Sequence, residues 1–220
     1  MKQITKTGCA VIGYGGMGGW HTRAAAKSDA VTLAGVYDIK KERNDAARKA
    51  GIHVYRSLKA LLNDPEVEIV TVAVPNDRHE KLAIAAMRAG KNVICEKPVT
   101  LSSKSLARMI AVSKETGKLL TVHQNRRWDV DYLAMQQIID SGEIGAPINV
   151  ESRVHGSRGI PSDWRGEKKY GGGMLYDWGI HLLDQVLLLF KGKKVEKVFC
   201  TFDHITNKEV DDGFKLHLWF

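Results

Sequence analysis

Short apolar, β-branched runs alternate with helix-period segments through residues 1–123. Strands are predicted over 8–12, 31–37, 53–55, 69–74, 92–95 and 119–122, and helices over 17–27, 40–50, 57–62, 78–89 and 102–116. Gly90 and Gly117 follow the last two helices as C-terminal stops. Strands linked by helices must cross over right-handedly into a parallel sheet, and near-continuous apolar strands imply that both sheet faces are covered. The expected fold class of this part is α/β, of the Rossmann type.

The rhythm changes in residues 124–220. A helix is expected over 130–141, a strand over 148–154, a glycine loop at 171–173 and a long apolar helix over 174–190. Strands over 195–204 and 213–220 then follow without an intervening helix, which predicts a second, α+β domain with a mostly antiparallel sheet. Phe214, Leu216, Leu218 and Phe220 alternate as a half-buried strand would, and the chain stops there, so this domain is expected to be incomplete.

Composition narrows the class. With 44% hydrophobic and 26% charged residues the chain reads as an ordinary globular protein rather than a disordered one. No run of about 18 apolar residues occurs and the N-terminus reaches a strand too soon for a cleavable signal, so a cytoplasmic protein with no membrane partner is expected. Cys9, Cys95 and Cys200 lie far apart, two of them in predicted buried strands, and read as reduced packing thiols. The net charge of +8 is spread among acids along predicted helices, without a basic run interleaved with aromatics; no nucleic-acid partner is expected. Some of that excess can steer an anionic ligand.

The chemistry begins after the first strand, where Gly13, Tyr14, Gly15, Gly16, Met17 and Gly18 lead into a helix. A dinucleotide pyrophosphate approaches the backbone more closely than a Cβ permits, and its charge is best placed at the exposed N–H groups of a helix start. Gly13, Gly15 and Gly18 have that spacing, and Asp38 ends the second strand, where it can accept the ribose hydroxyls of NAD. Its charge disfavours the 2′-phosphate of NADP, whereas Lys40 and Lys41 could compensate one or simply be solvated. NAD is the favoured cofactor, with NADP an alternative. Pro75, Asn76 and His79 follow the fourth predicted strand at a carboxyl edge, where open α/β sheets bind ligands. Asn76 could equally cap the next helix, and a histidine at 79 is by itself more often a surface residue than a ligand.

Glu96 and Lys97 end the fifth predicted strand, beside the same edge. On the later helix Asp177, His181 and Asp184 recur at i, i+4 and i+7, on one face of an apolar segment. A wet polar stripe and a core histidine held by a carboxylate are open alternatives to a reacting centre. No second histidine-rich ligand set accompanies the stripe, so no metal is expected. An ammonium, a carboxylate and an imidazole downstream of a dinucleotide cradle together suggest hydride transfer.

These residues resemble the Gfo/Idh/MocA family, named for glucose–fructose oxidoreductase, inositol dehydrogenase and rhizopine catabolism. The resemblance runs through GYGGMG, the acid at Asp38, VPNDRH, CEKP, HQNRRWD and GGGMLYDWGIHLLD, and covers essentially the whole chain. It implies a dinucleotide-binding domain over 1–123, an open-faced α+β domain over 124–220, and oxidation or reduction of a sugar, sugar derivative or cyclitol hydroxyl with NAD(P). By position it makes Lys97 the residue between nicotinamide and substrate, and Asp177 with His181 the catalytic polar pair. Glu96 joins the cofactor residues. Arg126, Arg127 and Trp128, with Trp164 and Arg165, become substrate candidates, against the plainer reading of a hinge held by stacking and ion pairs. Family members normally continue beyond this length, and their sheet commonly makes a homo-oligomer interface, which is expected here as well. A non-catalytic dinucleotide-binding regulator or scaffold of the same fold is the alternative function.

Overall fold

The computed structural model describes residues 6–156 and 159–220, and the chain divides after His123 into two compact units. Five strands of the first unit, β1 (Thr7–Ile12), β2 (Val31–Tyr37), β3 (Ile69–Val72), β4 (Asn92–Cys95) and β5 (Leu120–Val122), form a parallel sheet in the order β2-β1-β3-β4-β5. Five helices connect them: α1 (Gly16–Lys27), α2 (Lys41–Lys49), α3 (Leu58–Asn63), α4 (His79–Arg88) and α5 (Ser103–Thr116). The α/β class expected from the pattern is the class observed.

The expected strand over 53–55 is reduced to one parallel bridge, Val36 to Val54. It is held by Val36 N–H on the His53 carbonyl and Tyr55 N–H on the Val36 carbonyl, both at 2.9 Å. The approach is so close at Gly35 that a Cβ there would lie 2.7 Å from the His53 oxygen. A single bridge still places this segment outside β2, so the rows run 54-β2-β1-β3-β4-β5. That is the dinucleotide-binding order, with its reversal between β1 and β3.

Alternation along β1 explains why the sheet needs cover on both sides. Ala10 and Ile12 join Val70, Val72, Val93 and Cys95 in a core closed by Leu61, Ala83, Ala86, Met87 and Met109, while Val11 packs with Val36 and Ala47 on the other face. The Ser102 hydroxyl caps α5 by accepting the Ser105 N–H at 3.2 Å, and Gly117 ends it in a left-handed conformation.

In the second unit α6 (Val130–Ser141) is followed by irregular chain, a π-helical turn at Leu175–Gly179, α7 (Ile180–Leu189), and the antiparallel pair β6 (Lys197–Asp203) and β7 (Gly213–Trp219). Two expectations are corrected. Residues 148–154 form no strand: Ile148 is fully exposed, and β6 and β7 pair with each other while this segment pairs with nothing among the described residues. The long helix does not begin as a regular α-helix either: Leu175–Gly179 is a widened π-helical turn, in which Gly179 packs so closely that a Cβ would lie 2.8 Å from both Leu175 and Phe214. Among the described residues no helix is long and apolar enough to cross a membrane.

Candidate functional site

At the carboxyl end of β1 the chain turns through Gly13, whose φ of 94° suits glycine and whose added Cβ would lie 2.2 Å from the Ala73 oxygen. Gly18 is equally confined, since a Cβ there would meet the Gly13 oxygen at 2.0 Å. Gly15 and Gly16 differ from both, because a Cβ on either would meet no protein atom within 4 Å. Two glycines are thus demanded by packing, and two face open space at the start of α1, with Met17 in its first turn. That turn carries no side-chain cap and no acid, leaving its N–H groups and positive dipole end suited to a phosphate. The residues present fit a pyrophosphate.

The half-buried Asp38 carboxylate is wired to this turn. Its Oδ2 accepts the Tyr14 N–H at 2.7 Å and its Oδ1 the Lys40 N–H at 2.8 Å. Each oxygen keeps a further lone pair for a hydroxyl. Asn44, which spacing did not mark, holds Asp38 from behind: its Oδ1 accepts the Asp38 N–H at 3.0 Å and its Nδ2 donates to the Asp38 carbonyl at 2.8 Å.

After β3, Pro75 precedes a 3-10 turn at Asn76–Arg78 in which Asn76 is buried. Arg78, not Asn76, holds the N-cap position of α4. His79, a cofactor-binding candidate whose plainer reading is a surface histidine, is wholly buried, with Nδ1 2.8 Å from the Pro98 carbonyl and Nε2 2.9 Å from the Val74 carbonyl. Burial pushes this imidazole down from its ordinary pKa. Each ring nitrogen faces a main-chain carbonyl, and a neutral ring donates its one N–H to one of the two, so His79 helps hold the ends of the strand-edge loops together.

Lys97 lies between two anchored neighbours. Pro98, after a cis peptide bond, is tied to His79. Glu96 is buried, and its Oε2 accepts the Lys97 N–H at 3.3 Å. Its Oε1 lies 2.7 Å from His21 Nε2 and 2.9 Å from His123 Nδ1. Burial alone would raise the Glu96 carboxyl, but hydrogen bonds and charge from His123 and His21 outweigh it and hold the pKa at about 2. Spacing gave no sign of this cluster, because residues 21, 96 and 123 meet only when α1, β4 and β5 are in place.

In the second unit the stripe of Asp177, His181 and Asp184 is divided among different partners. Asp177, in the π-helical turn, has Oδ1 3.2 Å from Arg165 Nε. His181 is buried with Nδ1 3.1 Å from Gln124 Oε1, and an amide oxygen there accepts an Nδ1–H, placing the ring lone pair on Nε2. Asp184 is bound by Arg127 through two bonds of 2.6 Å. Arg126 stacks 4.1 Å over the Trp178 ring, and Gln185 donates to the Arg126 carbonyl at 2.7 Å. Arg126 and Arg127 therefore fasten the turn at Asn125–Trp128 to the helical segment that carries His181, while Trp128 is 76% exposed. Arg165 also lies 4.6 Å from the Trp164 ring and pairs with Asp163. Asp211 was missed by spacing; its main-chain and carboxylate oxygens accept the N–H groups of Met174 and Leu175 and anchor the turn that carries Asp177.

Residues 7–124 match the family described as "Oxidoreductase family, NAD-binding Rossmann fold", and residues 132–220 match the "GFO/IDH/MocA C-terminal domain". The chain belongs to the Gfo/Idh/MocA family. It is 35% identical over 182 residues to Uncharacterized oxidoreductase YdgJ of Escherichia coli, covering 82% of this chain and 52% of that protein. It is 32% identical over 154 residues to scyllo-inositol 2-dehydrogenase (NADP(+)) IolW of Bacillus subtilis, covering 70% of this chain and 41% of that one. An NAD-binding protein from Listeria innocua, solved by crystallography, superposes with a TM-score of 0.94 at 45% identity, covering 97% of this chain and 63% of the other. The chain thus spans about half the length of these curated relatives.

Proposed function

We propose that this protein is a pyridine-nucleotide-dependent oxidoreductase that moves a hydride to or from a hydroxyl carbon of a sugar, sugar derivative or cyclitol, with NAD favoured over NADP. The observation that carries the reading is the open backbone at Gly15 and Gly16 on an uncapped helix start, next to an Asp38 already oriented by two main-chain donors. The nicotinamide supplies the hydride acceptor or donor when bound.

Gly13 to Gly18 would hold the pyrophosphate, Asp38 the adenosine ribose, and Pro75 and Asn76 the far side of the same strand edge. An alcohol C–H leaves as hydride only as its O–H proton departs, so a base must take that proton. His181 is assigned this role, with Nε2 the atom that receives it. Lys97 stabilises the developing alkoxide, and its main chain is fixed on both sides by Glu96 and Pro98. Asp177, held by Arg165, orients substrate hydroxyls. Relatives in this family include proteins named as inositol dehydrogenases, which supports the cyclitol class.

The test is a screen of polyols and cyclitols that follows NADH absorbance, with Lys97→Ala and His181→Ala as comparisons. Turnover of at least one such compound that falls by about a hundredfold or more in each variant is expected. Unchanged turnover in either variant would remove that residue from the chemistry, and NAD binding without turnover of any compound would favour the regulator or scaffold reading.

A further inference from the structure

We propose that His21, Glu96 and His123 form a binding site for a divalent transition-metal ion of the zinc class, next to Lys97, whose N–H Glu96 accepts, but using neither Lys97, Asp177 nor His181 as a ligand. The three side chains arrive from α1, the end of β4 and the end of β5, and their ligand atoms all lie within 4.8 Å of one another. Two imidazoles and one carboxylate are the donor set that zinc takes with three protein ligands, leaving a fourth position for water or another small ligand.

The three donor atoms are already gathered within the span that an ion could draw together. Zinc bonds of about 2.0–2.2 Å in a tetrahedral arrangement put neighbouring donors about 3.3 Å apart. Here both ring nitrogens converge on one oxygen, His21 Nε2 at 2.7 Å and His123 Nδ1 at 2.9 Å from Glu96 Oε1. To hold the ion, each nitrogen would move out from Glu96 Oε1 by roughly half an ångström, and the two ring nitrogens, now within 4.8 Å of each other, would close to about 3.3 Å by side-chain rotation. Each histidine would then ligate through the nitrogen that now faces Glu96 and carry its proton on the other ring nitrogen.

The surroundings fix the set in advance. Glu96 N–H is bonded to the Val72 carbonyl and His123 N–H to the Cys95 carbonyl, so two ligands ride on the sheet itself. The Trp20 ring lies 5.1 Å from the His21 ring and 5.2 Å from the His123 ring, giving the histidines an apolar cover while their side chains remain 10% and 19% exposed. A preorganised and partly accessible donor set of this kind loses little freedom on binding.

The test uses the whole protein, stripped with a chelator and titrated with zinc chloride by calorimetry in a non-coordinating buffer, with cobalt(II) as a spectroscopic stand-in. Binding of one ion per chain is expected, with a visible cobalt spectrum of tetrahedral type. His21→Gln and His123→Gln should each weaken zinc binding by at least about tenfold and bleach that spectrum. Glutamine can still donate a hydrogen bond to Glu96, and far-UV circular dichroism with thermal melting verifies that each variant is folded. Cys200→Ser, at a partly exposed thiol outside the cluster, should leave binding unchanged. The proposal is overturned if the wild type binds no stoichiometric ion below millimolar zinc, if a folded variant carrying both His21→Gln and His123→Gln binds as the wild type does, or if Cys200→Ser abolishes binding instead.

Discussion

The Asp38 carboxylate accepts the backbone N–H of Tyr14 at 2.7 Å, so the acid at the end of β2 and the glycine turn after β1 form one unit. Its other oxygen takes the Lys40 N–H, which sets the carboxylate plane before any ligand arrives. On the proposed reading, this preset charge would discriminate between NAD and NADP. A 2′-phosphate about 4 Å away would be repelled by up to about 4 kcal/mol at an effective dielectric of about 20. Asp38→Asn removes the charge and keeps one acceptor oxygen, and it is expected to lower the NAD-to-NADP ratio of kcat/KM by about tenfold or more. Steady-state kinetics with both cofactors measure it, and an unchanged ratio would mean that Asp38 serves only to hold the turn.

The glycines of that turn separate packing from ligand contact. Gly15 has an extended backbone conformation open to any residue, and an alanine Cβ there would touch no protein atom. Gly15→Ala should leave stability within about 0.5 kcal/mol of the wild type and weaken NAD binding by about tenfold or more. Gly18→Ala should destabilise the fold itself, by roughly 1–3 kcal/mol, because its Cβ overlaps the Gly13 oxygen. Urea unfolding and NAD titration of the two variants give opposite patterns if the assignment holds.

Gln124 faces His181 Nδ1 with its side-chain oxygen. Its Oε1 at 3.1 Å from Nδ1 favours the form with a proton on that nitrogen, which on the proposed reading leaves Nε2 as the base. Gln124→Leu keeps the volume and removes the acceptor. A fall in kcat of about tenfold with little change in KM for the polyol is the expected result, since ring orientation matters in the transition state more than in substrate binding. Gln124→Glu, which restores an acceptor, should recover part of the loss; equal losses in both variants would point to a merely structural contact.

What could be read from the sequence was local. The glycine turn, Asp38 and the five strands of the parallel sheet follow from spacing and from apolar runs, because each depends on neighbours within one βαβ unit. The segment at 53–55 was legible in place but not in extent, since its pairing stops at Val54. The burial of His79 was not legible, because nothing nearby in sequence shows that the Pro98 carbonyl will close over it. The i, i+4, i+7 stripe assumed a regular helix, and a π-helical turn at Leu175–Gly179 put Asp177 against Arg165 while Asp184 went to Arg127. Glu96 was read as one member of a strand-end motif, whereas its partners at 21 and 123 are set by tertiary structure alone.

A charge cluster between α4 and α5 predicts how the first unit responds to acid. Glu80 accepts from Ser105 Oγ at 2.6 Å and from Arg108 Nε and Nη2 at 2.5 and 3.0 Å. The bonds from Arg108 and then Ser105 hold its carboxyl below the ordinary value of 4.5. A carboxylate whose folded pKa is depressed contributes stability that is fully present above its unfolded pKa and is lost as pH falls through the folded one. Glu80→Gln should therefore lower Tm at pH 7 by about 2 °C, and the difference from wild type should shrink as pH falls below about 4.5 and vanish once the wild-type carboxyl is protonated. Thermal melts of both proteins between pH 7 and pH 3 follow it. A difference that stays constant over that range would show that Glu80 acts through packing rather than through its charge.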